Sequence, residues 1–233
     1  MAIPVSDSTE LQNLLETLAR ELVEASIFFR LYRDLVEAAA ADRFNKEMHQ
    51  SLTFWQQTVA AHRETAVFRL CKIFDQRRDS LNVRSVLETI RANPHFFSAE
   101  RFEERMGQRA HVEHTPLDRA QLDKDIDYAG EQNPLVARLV GARNNFYAHR
   151  SAQGVLDAEI YDLTLNDVAT LLDAGLTIIN RYNISFRAHA YSDQIVGHDD
   201  YGHVLEAVRD RLQTRQRELD EQCRAYGLDP QSI

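Results

Sequence analysis

The stretch Leu11-Gln12-Asn13-Leu14-Leu15-Glu16-Thr17-Leu18-Ala19-Arg20-Glu21-Leu22-Val23-Glu24-Ala25 decides the fold. Leu11, Leu15, Leu18, Leu22 and Ala25 step by four and three, and Phe29, Tyr32 and Val36 continue the stripe. That period belongs to one face of an amphipathic helix. Ser8 or Thr9 is the expected N-cap. A second long stripe follows in Phe44, Met48, Leu52, Trp55, Val59, Ala66, Leu70 and Ile73. Two long helices separated around Ala39 to Arg43 predict an antiparallel hairpin.

Further helices follow from their punctuation. Asn93-Pro94 stops a helix over about Val83 to Ala92. Ser98 caps a short helix to about Met106. Thr115-Pro116 pairs a cap with a proline at the first helical position, predicting a helix that ends near Gly130. Asn133-Pro134 repeats that signal and opens a helix through about Ala148. Asn166-Asp167 opens one to about Ala188. The last spans about Asp200 to Tyr226, with Gly227 beyond it. Gly154 to Leu165 alternates weakly and suggests a short extended segment. The class is all-α. The expected division is a bundle over residues 1–190 and a C-terminal helical extension over 191–233, packed on the bundle or on a partner. In the last helix Val204, Leu205, Val208, Leu212 and Leu219 form a narrow apolar stripe among alternating charges.

Composition narrows the function. Eight Gly and five Pro in 233 residues exclude collagen-like and low-complexity classes. No apolar run approaches the roughly 18 residues of a membrane span, and the N-terminus lacks the pattern of a secretory signal. Cys71 and Cys223 stand alone, which fits free thiols in a cytoplasmic protein. A net charge of −9 argues against coating nucleic acid non-specifically. It leaves room for a small basic site on an acidic body.

Such a site is present in Arg143-Asn144-Asn145-Phe146-Tyr147-Ala148-His149-Arg150. No acidic residue occurs from Gln132 to Ala152, while Arg138, Arg143 and Arg150 do. On a helix, Arg143, Tyr147 and Arg150 share a stripe, and Asn145 and His149 a neighbouring one. Arg143 and His149 lie about 240° apart around an ideal helix and ~9 Å along it. They converge on one ligand only if the arginine reaches across or the helix unwinds near Ala148.

This string resembles the signature of the HEPN superfamily: Arg, a spacer of four to six residues and His, with a polar residue after the Arg. Here the spacer is five and the polar residue is Asn144. The long helices, and Arg69-Leu70-Cys71-Lys72-Ile73-Phe74-Asp75, look like the AbiU-type abortive-infection branch, over about residues 10 to 190. The resemblance implies a helical bundle, commonly a homodimer, whose paired motifs line a cleft. Many such proteins are endoribonucleases that need no metal or other cofactor. It implies Arg143, Asn144 and His149 as catalytic residues, and Asn145, Tyr147 and Arg150 as RNA contacts. His149 suits proton transfer near neutrality, and Arg143 suits a phosphate clamp. RNA is the implied partner, an antitoxin protein a further one, and no membrane is involved. The alternatives are a catalytically silent module that binds nucleotide, RNA or protein, and a structural adaptor. In the last case His149 and Arg150 merely complement a helix dipole.

Other clusters read as structural. His111-Val112-Glu113-His114 offers two ligands where zinc needs three or four. His198-Asp199-Asp200 with His203 is expected at the start of the last helix, where negative charge suits the dipole. Lys72, Asp75, Arg77, Arg78 and Asp79 form a mixed-charge helix end, expected to be solvated. The functional reading puts one of them beside Arg143, or has Glu64 or Asp75 support His149. Trp55 with Phe54 is expected in the core. The absence of G-x-x-x-x-G-K-[ST], G-x-G-x-x-G and G-x-S-x-G removes the common phosphate loops and the α/β-hydrolase elbow.

Overall fold

The computed structural model describes residues 1–40, 43–77, 79–107, 113–144, 163–194, 197, 199–227 and 229. Among them the fold is all-α, with no strand. The helices are α1 (Ser8–Ala40), α2 (Asn45–His49), α3 (Leu52–Ile73), α4 (Val83–Ala92), α5 (Ala99–Met106), α6 (Arg119–Tyr128), α7 (Pro134–Ala142), α8 (Leu165–Arg187) and α9 (Asp200–Ala225). A short 3₁₀ turn, Pro94–Phe97, links α4 to α5. The weakly alternating stretch after Gly154 lies almost wholly outside the described residues.

The chain divides into two compact units. One comprises residues 1–29 and 64–193, the other 30–63 and 194–233. In the first, Leu11, Leu15, Leu18, Leu22 and Ala25 of α1 are buried, as their spacing requires. Leu70 and Ile73 of α3, Val86 and Ile90 of α4, Leu139 of α7 and Ile179 and Phe186 of α8 are also buried. Each contributes on the order of 1.5–3 kcal/mol by leaving water. The N-terminal segment is pinned where the Ile3 amide donates to Thr89 Oγ1 at 2.7 Å.

Most helix starts follow the local chemistry. Asn82 and Ser85 form a reciprocal capping box on α4, and Ser98 caps α5. Asn133 accepts the Leu135 amide with Pro134 in the first turn of α7. Three starts differ from expectation. Asp7 Oδ1 accepts the amides of Thr9 and Glu10, so Asp7 caps α1 rather than Ser8 or Thr9. Thr115-Pro116 does not open α6, because Asp118 takes the Gln121 amide at 3.1 Å and caps it three residues later. The Thr115 carbonyl is instead held by the Ser185 hydroxyl at 2.6 Å. At α8 the cap is Thr164, reciprocated by Asp167.

The second unit is smaller. Ala38, Phe44, Met48 and Leu205 form its core, with Ala39, Trp55 and Tyr201 packed against them. Arg209 of α9 donates Nε to Glu47 Oε1 at 2.6 Å and lies over the Phe44 ring at 4.6 Å. Of the stripe expected on α9 only Leu205 is buried; Val204 and Leu219 are exposed. Phe54, expected in the core, is 62 % exposed, while Trp55 packs as anticipated. The second long stripe is split by a break at Gln50-Ser51 into α2 and α3, and Leu52 at the break is exposed. No described helix is long and apolar enough to cross a membrane.

Candidate active site around Arg143

α7 is short and apolar. Asn133 fixes its start, and Val136, Leu139 and Ala142 anchor it in the core. That anchoring delivers Arg143 and Asn144 at its end. Both residues wind as a π-helical turn rather than a continued α-helix. Wide turns of this kind recur at functional sites. Here the α-register is broken at the first residue of the motif.

Opposite lies the end of α3. The Cys71 thiol is 4.0 Å from the Leu139 carbonyl, and Arg143 Nη1 donates to Asp75 Oδ1. Both partners step by four, from 71 to 75 and from 139 to 143, so the two segments meet one turn apart. Arg143 Nε also donates to Asn144 Oδ1 at 3.1 Å. The arginine side chain keeps 23 % of its surface exposed and the Asp75 side chain 12 %.

Asp75 is positioned by the loop that follows it. Its Oδ1 accepts the Arg77 amide at 3.2 Å, and its Oδ2 accepts the Ser80 hydroxyl at 3.2 Å. Asn82 Nδ2 in turn ties the loop through the Arg77 and Ser80 carbonyls. Burial alone would raise the Asp75 pKa. The hydrogen bonds from Arg143, the Arg77 amide and Ser80, with the Arg143 charge, outweigh it and hold the carboxyl below its usual range. Cys71 is 3 % exposed, and burial pushes its thiol up to about 12. It therefore stays protonated beside the ion pair and is no nucleophile.

Of the two readings of this helix end, the solvated one fails at Asp75, and the one that puts a residue of it beside Arg143 holds there. Lys72, Arg77 and Asp79 are exposed as anticipated, but Asp75 turns inward to Arg143. Glu64 is exposed. Arg138 also finds a carboxylate, Asp167 of α8, at 3.1 Å. The segment that lacks acidic neighbours in sequence thus has its two described arginines paired with carboxylates from elsewhere. Asn145, Tyr147, His149 and Arg150 lie outside the described residues, as do Arg78, His111 and His198. His114 donates Nε2 to the Phe97 carbonyl at 3.0 Å and stacks near Phe102, which is a structural role. His203 is exposed, 3.7 Å from Glu206.

One polar network escaped the sequence reading. Asp125 of α6, 5 % exposed, accepts from Gln121, Arg181 and the Tyr182 hydroxyl, the last at 2.6 Å. Its only sequence signal is an aspartate one residue before Ile126, on the buried side of an otherwise acidic helix.

No curated protein and no solved structure gives a significant match to the chain. The model of the HEPN family described as AbiU2 matches residues 8–213, which includes α1, α3, the Arg143 segment and about half of α9. With that span of the fold covered, the chain belongs to the AbiU2 family of HEPN proteins.

Proposed function

We propose that the protein is a metal-independent endoribonuclease acting as a toxin or antiphage-defence effector. The observation that carries this reading is Arg143. It stands at the start of the HEPN motif, part exposed, with its guanidinium held at one edge by a buried carboxylate. A planar, permanently charged fork of that kind suits a phosphodiester in its crowded anionic state.

The chemistry is transesterification. His149 takes the proton from an RNA 2′-hydroxyl, whose oxygen attacks the adjacent phosphorus. The phosphorus–O5′ bond breaks, and the leaving oxygen takes a proton from a second acid. The products are a 2′,3′-cyclic phosphate and a 5′-hydroxyl. In a homodimer the second acid is the other copy's imidazole. Asn144 orients the phosphate, and Asn145, Tyr147 and Arg150 contact RNA. A cytoplasmic setting and an antitoxin partner complete the proposal.

The test is purified protein with single-stranded RNA in excess chelator. Cleavage that persists under chelation, leaves cyclic-phosphate ends and falls by about 10²-fold or more in His149→Ala supports the reading. Activity that depends on added metal refutes the mechanism. The second reading is a silent module for nucleotide, RNA or protein, and the pairing of Arg138 and Arg143 with carboxylates favours it. It is distinguished by binding without turnover, weakened by Arg143→Ala and not by His149→Ala.

A further inference from the structure

We infer that Asp75 is a positioning residue that aims the Arg143 guanidinium at the scissile phosphate. The inference rests on the nuclease reading. Asp75 sits just beyond α3, 68 residues before Arg143, and reaches it through Nη1. The carboxylate is itself fixed from two sides, by the Arg77 amide on Oδ1 and the Ser80 hydroxyl on Oδ2. The loop behind it is locked by Asn82, which also forms the reciprocal cap of α4. The chain of restraint therefore runs from a helix cap, through a loop, to a carboxylate and then to the arginine.

Arg143 needs such restraint. The α-helix ends at Ala142, and Arg143 and Asn144 follow it in a wider turn. An arginine side chain has four rotatable bonds, and unrestrained it samples many directions. Five N–H groups radiate from the guanidinium. Asp75 engages it at Nη1 and Asn144 at Nε, which fixes the plane of the fork while part of it stays in contact with solvent. Stability alone gives poor reason for the pair, because apolar residues of similar volume often stabilise as well as a buried ion pair. Charge alone gives none, since the carboxylate cancels the arginine's attraction for an anion. Orientation is what the arrangement adds. The neighbouring Cys71 thiol, protonated in its buried setting, brings no competing negative charge.

The experiment compares the full-length protein with Asp75→Asn, Asp75→Glu and Arg143→Lys, using RNA cleavage under chelator. Binding of a 2′-O-methyl oligoribonucleotide, which lacks the nucleophile, and thermal stability are followed in parallel. Asp75→Asn is expected to lower kcat by about 10- to 100-fold with KM within about 3-fold, because misaiming a contact by ~1 Å has effects of that size. Asp75→Glu, which restores the charge one methylene further out, is expected to be intermediate. A purely structural role would lower melting temperature and active fraction together and leave kcat per folded molecule unchanged. Should Asp75→Asn not fold, Asp75→Glu decides: reduced kcat in a folded protein supports the inference, wild-type kcat overturns it. Faster cleavage in Asp75→Asn also overturns it, by showing that the carboxylate withholds Arg143. A wild-type protein that neither cuts RNA nor binds the probe defeats the nuclease reading and the inference with it. That pattern differs from one in which wild type cuts and Asp75→Asn matches it.

Discussion

Asp75 shows what one residue can do that its neighbours in sequence do not announce. In the string Lys72-Ile73-Phe74-Asp75-Gln76-Arg77 it looks like part of a solvated helix end. Phe74 beside it is buried, and that carries Asp75 inward to Arg143. The consequence is a pH dependence with a definite sign. The Asp75 pKa is held below its ordinary 3.8, so the unfolded chain binds that proton more tightly. Its stabilisation is complete above about pH 5, and it is lost as pH falls below ~4 toward the folded value. Urea midpoints of wild type and Asp75→Asn should therefore differ by a constant amount from pH 7 to about 5 and converge below ~4. A gap that stays constant to pH 3 would contradict the assignment. Tyr182 behaves in the opposite sense. Burial first, and then the carboxylate of Asp125, push its phenol far above the usual range, so it donates to Asp125 throughout the working range.

The helical elements divide into those set by local chemistry and those set by distant contacts. Ser98 and Asn133-Pro134 were legible because a cap satisfies amides two or three residues away. Thr115-Pro116 misled because Ser185, 70 residues on, holds the Thr115 carbonyl in a non-helical path. The α1 stripe was legible as far as Phe29. Beyond it Leu35 and Ala38 are buried in place of Val36, which is 39 % exposed. A straight helix drifts by about 20° per heptad against a fixed seven-residue stripe, and from Arg30 onward α1 belongs to the second unit. The site was legible in part for the same reason. The motif names Arg143, whereas the carboxylates that meet Arg143 and Arg138 come from the loop after α3 and from α8.

Gly175 tests helix packing directly. A Cβ there would stand 2.7 Å from Leu22 Cδ2 and 3.5 Å from two carbons of the Phe74 ring. Leu22 is fully buried, so it has little room to yield. Alanine gains about 1 kcal/mol in helix propensity over glycine. Overpacking a core costs about 1–3 kcal/mol, so the clash should win. Gly175→Ala is expected to lower the melting temperature by roughly 2–6 °C. An unchanged or higher value would show that Leu22 moves aside at no cost.

At the scale of the whole molecule, the proposed nuclease activity requires an acidic protein to engage a polyanion. The net charge is −9, so the long-range field repels RNA. Local attraction has to come from few groups. Of the three arginines in the basic segment, Arg138 is paired with Asp167 and Arg143 with Asp75. Affinity for single strands changes with salt at a slope of about −0.7 for each phosphate neutralised. With roughly one to three phosphates engaged per protomer, log Kobs should fall against log salt with a slope of only about −1 to −2. The measurement is anisotropy of a 2′-O-methyl oligoribonucleotide across a sodium chloride series, with His149→Ala as a second, uncleaving protein. A slope steeper than about −5 would mean an extended basic track and a different mode of binding. A shallow slope fits a protein that holds RNA at one phosphate and takes its selectivity from stacking and shape. In such a protein Asp167→Asn, which frees Arg138, should steepen the slope by somewhat under one unit and tighten binding at low salt.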